Sequence, residues 1–276
     1  MGKAPESENL AVFCDFENVA IGVRDARHAQ FDIRKVLERL LLKGSIVVKK
    51  AYCDWERYKE FKTAMHEAAF ELIEIPHVRQ SGKNSADIRM VVDALDLCYT
   101  KSHVDTFVIV SGDSDFSPLV SKLRENNKTV IGVGVKSSSS DLLIANCDEF
   151  IYYDDLVRKK QPRKRPARKA PAARGPAAPA KEPKEDKDAE ERTQAALDLI
   201  LETLEALAEE RGSEEKVWGS LVKQTLKRRR PGFNESYYGF RSFNRLLEEA
   251  AARGLLELDP DEKSGGYIIR LSHQED

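Results

Sequence analysis

The sequence predicts a doubly wound α/β fold with a mostly parallel sheet and flanking helices, followed by a small C-terminal domain. Three observations carry this expectation. Over residues 10–157, short β-rich runs alternate with segments of helical spacing, the order that builds parallel sheets through crossover helices. Several of these runs are almost unbroken in apolar character, as strands covered on both faces require. At residue 158 the composition changes abruptly, and amphipathic periodicity returns only near residue 193.

The expected strands cover residues 10–14, 46–52, 71–75, 106–110 and 129–135, with a sixth near 150–153. Helical spacing covers residues 33–42, 55–69, 86–99 and 118–126. Ser117 and Pro118 suit the N-cap and first position of the last of these helices. The first domain is bounded at residues 8–157.

Residues 158–191 form a basic, Pro/Ala-rich tract that turns acidic near residues 182–188. It holds almost no large apolar side chain, so it cannot bury a core and is expected to be a disordered linker. Between Arg158 and Arg174 there are nine basic residues and no acidic one. Such a tract is either a soluble spacer or an electrostatic tether for a polyanion.

Residues 192–273 form the second domain. Leucines at 197, 201, 204 and 207 mark an amphipathic helix over residues 193–207. Ser213 can cap a second helix, over 214–228, and a third is expected over 235–253. Two short β-rich runs, 254–258 and 267–271, flank a turn-rich segment. Three helices and a hairpin describe a winged helix. Phe240 and Phe243 lie at core spacing rather than as stacking platforms.

Bulk composition excludes several classes. Lys plus Arg is 45 against 47 Asp plus Glu, so net charge alone points to no partner. Four scattered cysteines show no zinc or disulfide spacing, which suits core filling in a reducing, cytoplasmic setting. No apolar stretch precedes the first strand, and no run approaches a membrane span, so neither a signal peptide nor a membrane partner is expected. Glycine-rich phosphate loops are absent, and no histidine lies in the motifs below.

The chemistry concentrates in four carboxylates. Asp15 follows the first strand, and Asp113 and Asp115 follow the fourth within Ser111-Gly112-Asp113-Ser114-Asp115-Phe116. Parallel sheets bind ligands beyond the carboxyl ends of their strands. Carboxylates gathered there repel one another unless a cation lies between them, and Mg²⁺ or Mn²⁺ takes oxygen ligands. Asp87 opens a helix, where an aspartate is also favourable for the dipole alone. Asn18 can orient a water or phosphate, and Lys83 and Ser111 can contact substrate. Glu17 and Asp93 rank second. One or two ions in such a set would suit phosphodiester hydrolysis without a side-chain nucleophile. In the second domain, Lys223, Lys227, Arg228, Arg229, Arg230 and Arg241 would give a basic edge suited to phosphates.

The first domain resembles the NYN family of the PIN-like nuclease superfamily. The resemblance rests on Asp15-Phe16-Glu17-Asn18, on the segment from Lys83 to Asp87, and on Ser111 to Phe116. It implies a metal-dependent ribonuclease with Asp15, Asp87, Asp113 and Asp115 as metal ligands and Asn18 beside them. Family members with degenerate sites bind RNA without cutting, and a DNA nuclease of the same superfamily is a further alternative. The second domain is similar to LOTUS (OST-HTH) domains, through residues 232–234 and 238–247. That likeness implies RNA binding or docking to a protein partner.

Overall fold

The computed structural model describes residues 8–28, 30–75, 84–158, 184–211, 217–261 and 266–271. The chain divides into two compact units, the first built on the residues up to Val157 together with Gln224–Phe233.

The first unit begins with β1 (Glu8–Asp15), whose last six residues are buried. It runs straight into α1 (Phe16–Asp25), a helix the periodicity did not separate from its neighbours. Then come α2 (Ile33–Leu40), β2 (Gly44–Cys53), α3 (Lys59–Glu67) and β3 (Glu71–Glu74). The helix expected from residue 55 starts four residues later. Trp55 is held out of it: its indole N–H donates to the Ile73 carbonyl at 3.1 Å, and its backbone N–H donates to Glu74 at 3.0 Å. The unit continues with α4 (Ser85–Thr100), β4 (Thr106–Val110), α5 (Ser117–Glu125) and β5 (Thr129–Gly134). It ends with α6 (Asp141–Asn146), β6 (Glu149–Tyr152) and α7 (Tyr153–Val157).

The six strands form one sheet in the order β3-β2-β1-β4-β5-β6. Every pairing is parallel, so the expected mostly parallel sheet is wholly parallel. Alternate residues of β1 serve opposite faces, as strand geometry demands. Leu10, Val12 and Cys14 pack with side chains of α1, α2, α3 and α7. Ala11 and Phe13 pack with side chains of α4, α5 and α6. The chain therefore winds outward one way from β1 through β2 to β3, then returns and winds the other way from β4. The reversal leaves a crevice between β1 and β4 at their carboxyl ends, where doubly wound sheets take ligands.

All four cysteines are buried and free, as small core fillers. Among the described residues, no helix is long and apolar enough to cross a membrane.

After residue 183 come α8 (Lys184–Arg211), β7 (Val217–Trp218), α9 (Gly219–Arg229), α10 (Phe243–Ala252), β8 (Leu256–Pro260) and β9 (Tyr267–Leu271). Their sheet is antiparallel, in the order β7-β9-β8. Helix α8 starts well before residue 193, within the tract read as linker. That stretch is rich in Glu and Asp, which favour the positive end of a helix dipole. Ala196, Leu197, Ile200, Leu204 and Leu207 form its buried stripe. The third helix begins at Phe243, not near residue 235. Asn234 turns the chain by accepting from the Ser236 N–H at 3.1 Å, and Gly239 adopts a φ of +89°. A left-handed residue cannot continue a helix, so Ser242 caps a fresh start by accepting from the Arg245 N–H. Phe243 is core, as expected, whereas Phe240 is only half-buried. The Ser213 cap and residues 159–183 of the linker lie outside the described residues.

Candidate active site

Asp15 is the last residue of β1 and the N-cap of α1. The residue is 7% exposed. One oxygen accepts from the Asn18 N–H at 3.4 Å, and the other accepts from the Ser111 hydroxyl at 3.0 Å. Ser111 Oγ in turn accepts from the Asp113 N–H at 3.2 Å, and Asn18 Oδ1 accepts from the Gly112 N–H at 2.9 Å. Four hydrogen bonds thus tie the β1–α1 corner and the loop after β4 into one frame.

Gly112 is required here by close approach. A Cβ built on it would lie 2.6 Å from the Ser138 carbonyl oxygen and 3.0 Å from Ser139 Cα. Both are backbone atoms, and the Gly112 carbonyl also accepts from the Ser140 N–H at 2.9 Å. Gly112→Ala should therefore force the loops apart. Overpacking of this kind costs roughly 1–3 kcal/mol. Thermal denaturation should show a Tm several degrees lower, and an unchanged Tm would contradict the packing described.

Asp113 caps the single 3₁₀ turn Ser114–Phe116 by accepting from the Asp115 N–H at 3.0 Å. Asp115, the middle residue of that turn, is exposed. Ser117 is not the N-cap of α5. It lies inside the helix, and Phe116 at the cap position makes no side-chain cap bond. The Asp113 turn has taken over the start of the helix.

The electrostatics link residues that lie far apart in sequence. Burial first, and then the nearby Asp87 charge, push the Asp15 carboxyl up to about 7, with Asp113 adding to the rise. Its two hydrogen bonds pull the other way and lose. Burial, Asp113, Asp115 and Glu17, in that order, push Asp87 up to about 6. A helix N-terminus alone would lower a carboxyl, so the acidic neighbours and burial outweigh the dipole at Asp87. Among the described residues, no Lys or Arg pairs with Asp15, Asp87, Asp113 or Asp115.

This donor set suits a hard divalent cation. It is all oxygen, carries excess negative charge and opens at a sheet's ligand crevice. It is a shared field rather than a closed cage: among the described residues, no three such side chains are gathered closely enough to hold a metal.

Several expected site residues have other tasks. Ser111, expected at the substrate, is fully buried and braces Asp15 and Asp113 instead. Asn18 has its carbonyl oxygen engaged by Gly112, which leaves its amide NH₂ for any ligand. Glu17 pairs with Arg57 at 3.0 Å. Asp93 accepts from the Tyr52 hydroxyl at 2.9 Å and pairs with Arg89 at 3.0 Å and Lys50 at 3.4 Å, which fastens α4 to β2. Lys83 lies outside the described residues. Arg228, Arg230 and Arg241 are exposed, as is Arg229, whereas Lys223 is paired with Glu235 at 2.8 Å. Sequence reasoning missed Arg57, Tyr52 and Ser138. No local motif marks them, because each matters through a partner distant in the chain.

A wholly parallel α/β sheet with clustered acids at its reversal point defines a doubly wound domain with an acidic crevice. The chain belongs to the NYN domain family, whose model matches residues 9–154. It is 27% identical over 154 residues to Meiosis regulator and mRNA stability factor 1 of Xenopus tropicalis, a match covering 56% of this chain and 9% of that protein. An uncharacterized protein of Methanocaldococcus jannaschii is 30% identical over 112 residues, covering 41% of this chain and 43% of that one. The chain thus spans less than half the length of these relatives. The crystal structure of a protein of unknown function from Vibrio parahaemolyticus matches with a TM-score of 0.50 and 28% identity, over 56% of this chain and 98% of that one.

Proposed function

We propose that this protein is a metal-dependent endoribonuclease that hydrolyses RNA phosphodiester bonds with Mg²⁺ or Mn²⁺. The observation that carries this reading is the common field of Asp15, Asp87, Asp113 and Asp115, which raises the carboxyls of Asp15 and Asp87 and is left without a cationic partner among the described residues. A bound divalent cation would supply charge neutralisation at the scissile phosphate and acidify an attacking water. Asp15 would hold it from β1, Asp113 and Asp115 from the loop after β4, and Asp87 from α4. Ser111 and Asn18 keep the first two carboxylates in register. The Asn18 NH₂, left over once its oxygen accepts from Gly112, would donate to a phosphate oxygen or a water. The name of the Xenopus relative refers to mRNA stability, which supports RNA as the substrate in this reading.

In this reading, residues 8–157 are the catalytic domain, 158–191 join the domains, and 192–273 form a LOTUS-like domain that recruits RNA or a protein partner. The helical order and the β7-β9-β8 sheet support that assignment. The exposed Arg228, Arg229, Arg230 and Arg241 suit phosphate contacts. Free cysteines suit a cytoplasmic location.

The test is cleavage of single-stranded and structured RNA in Mg²⁺, Mn²⁺ or EDTA, with matched DNA in competition and sequencing of product ends. RNA cleavage that EDTA abolishes is expected. Binding without cleavage would mark a non-cleaving adaptor, and equal cleavage of DNA a less selective nuclease.

A further inference from the structure

The loop after β5 carries four consecutive serines, Ser137 to Ser140, and two glycines from other segments make room for one of them. A Cβ built on Gly22, inside α1, would lie 2.5 Å from Ser138 Oγ. One built on Gly112 would lie 2.6 Å from the Ser138 carbonyl oxygen. A glycine inside a helix is destabilising relative to alanine, so α1 gives up helix propensity to keep the Ser138 hydroxyl against it. Core packing does not demand this. Ser138 is exposed, and among the described residues its hydroxyl makes no hydrogen bond. The hydroxyl also lies close to the crevice. The Ser140 N–H donates to the Gly112 carbonyl, and the Gly112 N–H donates to Asn18, both at 2.9 Å. Asn18 and Gly22 are four residues apart on α1 and share a helix face, so Ser138 Oγ sits about one turn from the Asn18 side chain. Helix α1 and Val135, which leads into the serine loop, pack on one face of the sheet. Helix α4, which bears Asp87, packs on the other.

We propose that the Ser138 hydroxyl and the Asn18 amide form a phosphate seat on the α1 side of the crevice, opposite the side from which α4 brings Asp87. The occupant is a phosphate of the RNA backbone. The inference rests on the proposed nuclease reading and extends it from the cation to the grip on the substrate. A hydroxyl and a carboxamide NH₂ both donate to an anionic oxygen. Being neutral, they do so without pairing with the carboxylates nearby, as a lysine or arginine in the same place would. Contacts of this kind position a nucleic acid without reading its sequence, so the seat holds any base equally.

Two variants of the full chain test this, and neither touches an acid. Ser138→Ala removes the hydroxyl from an exposed residue. Gly22→Ala places a methyl where Ser138 Oγ lies and forces the hydroxyl aside, while favouring the helix. Fluorescence anisotropy with four homopolymeric RNA hexamers, in Ca²⁺ and in EDTA, gives the affinity that depends on a divalent cation. We expect wild type to bind more tightly in Ca²⁺. Each variant should weaken that binding by about tenfold, the loss of one hydrogen bond to a charged group, and by the same factor for all four hexamers. Should Gly22→Ala melt below wild type, Ser138→Ala decides alone. Ser138→Ala affinities within about twofold of wild type would overturn the proposal. So would a loss confined to one base, or wild-type binding that Ca²⁺ does not strengthen. Cleavage in Mg²⁺ or Mn²⁺ is scored separately: a wild type that binds as expected but never cuts ends the nuclease reading and leaves the seat standing.

Discussion

Asp113→Asn should lower metal-dependent RNA cleavage by more than about 100-fold while leaving the fold intact. Loss of a group that merely orients a ligand typically costs 10–100-fold, and a ligand carboxylate should cost more. The structure explains why the fold survives. The bond that Asp113 makes to its own turn is one accepted from the Asp115 N–H, and an asparagine carbonyl accepts it equally well. The change therefore removes charge and keeps the cap. Asp113→Ala is the contrast, since losing such a cap costs about 1 kcal/mol and should lower Tm as well. Cleavage rates and melting curves on the three proteins decide the matter. Wild-type rates in Asp113→Asn would sink the assignment of the site.

Without metal, the protein should lose stability as pH rises from about 4 to 7, and Asp15→Asn should remove most of that loss. Asp15 rises from 3.8 to about 7 on folding, and Asp87 from 3.8 to about 6. In this window the folded state binds more protons than the unfolded one, so stability falls with pH. The penalty is complete above about 7 and absent below about 4. For Asp15 it has an upper bound of roughly 4 kcal/mol. Asparagine keeps most of the frame: its oxygen accepts from the Asn18 N–H, and its NH₂ donates to Ser111 Oγ, which then accepts twice and gives up the acceptor of its own O–H, a cost smaller than the charge penalty removed at pH 8. At pH 8 in EDTA the variant should melt at least about 3 °C above wild type. Mn²⁺ should raise the wild-type Tm at pH 8, less so at pH 5, where protons compete for the ligands. It should not raise that of the variant. Melting curves from pH 4 to 8 that are parallel in the two proteins would refute the account.

Much of this was legible in one dimension because the forces concerned are local or periodic. Apolar runs such as Phe107–Val110 must be buried on both faces, which implies a parallel sheet. The motif from Ser111 to Asp115 places two acids after one strand whatever the rest of the chain does. Local chemistry failed where a distant partner overrode it. Trp55 is drawn out of its helix by the carbonyl of Ile73, and Ser117 yields its expected cap to Asp113. Gly239 and Ser242 delayed the third C-terminal helix because a left-handed turn competes with helical periodicity that the sequence does display.

By itself, then, the sequence determined the alternation of strands and helices, the acids at strand ends and the compositional break at residue 158. Those follow from hydrophobic periodicity and turn chemistry, which act over a few residues. Only the tertiary structure decided that β1 and β4 are neighbours at the point where the winding reverses. That adjacency bonds Asp15 to Ser111 across 96 positions of chain and sets Asp87 in the field of Asp113. It also turned Ser111, Glu17 and Asp93 from candidate ligands into braces. The reason is that burial and Coulomb interaction depend on distance in space, which the order of residues along a chain does not contain.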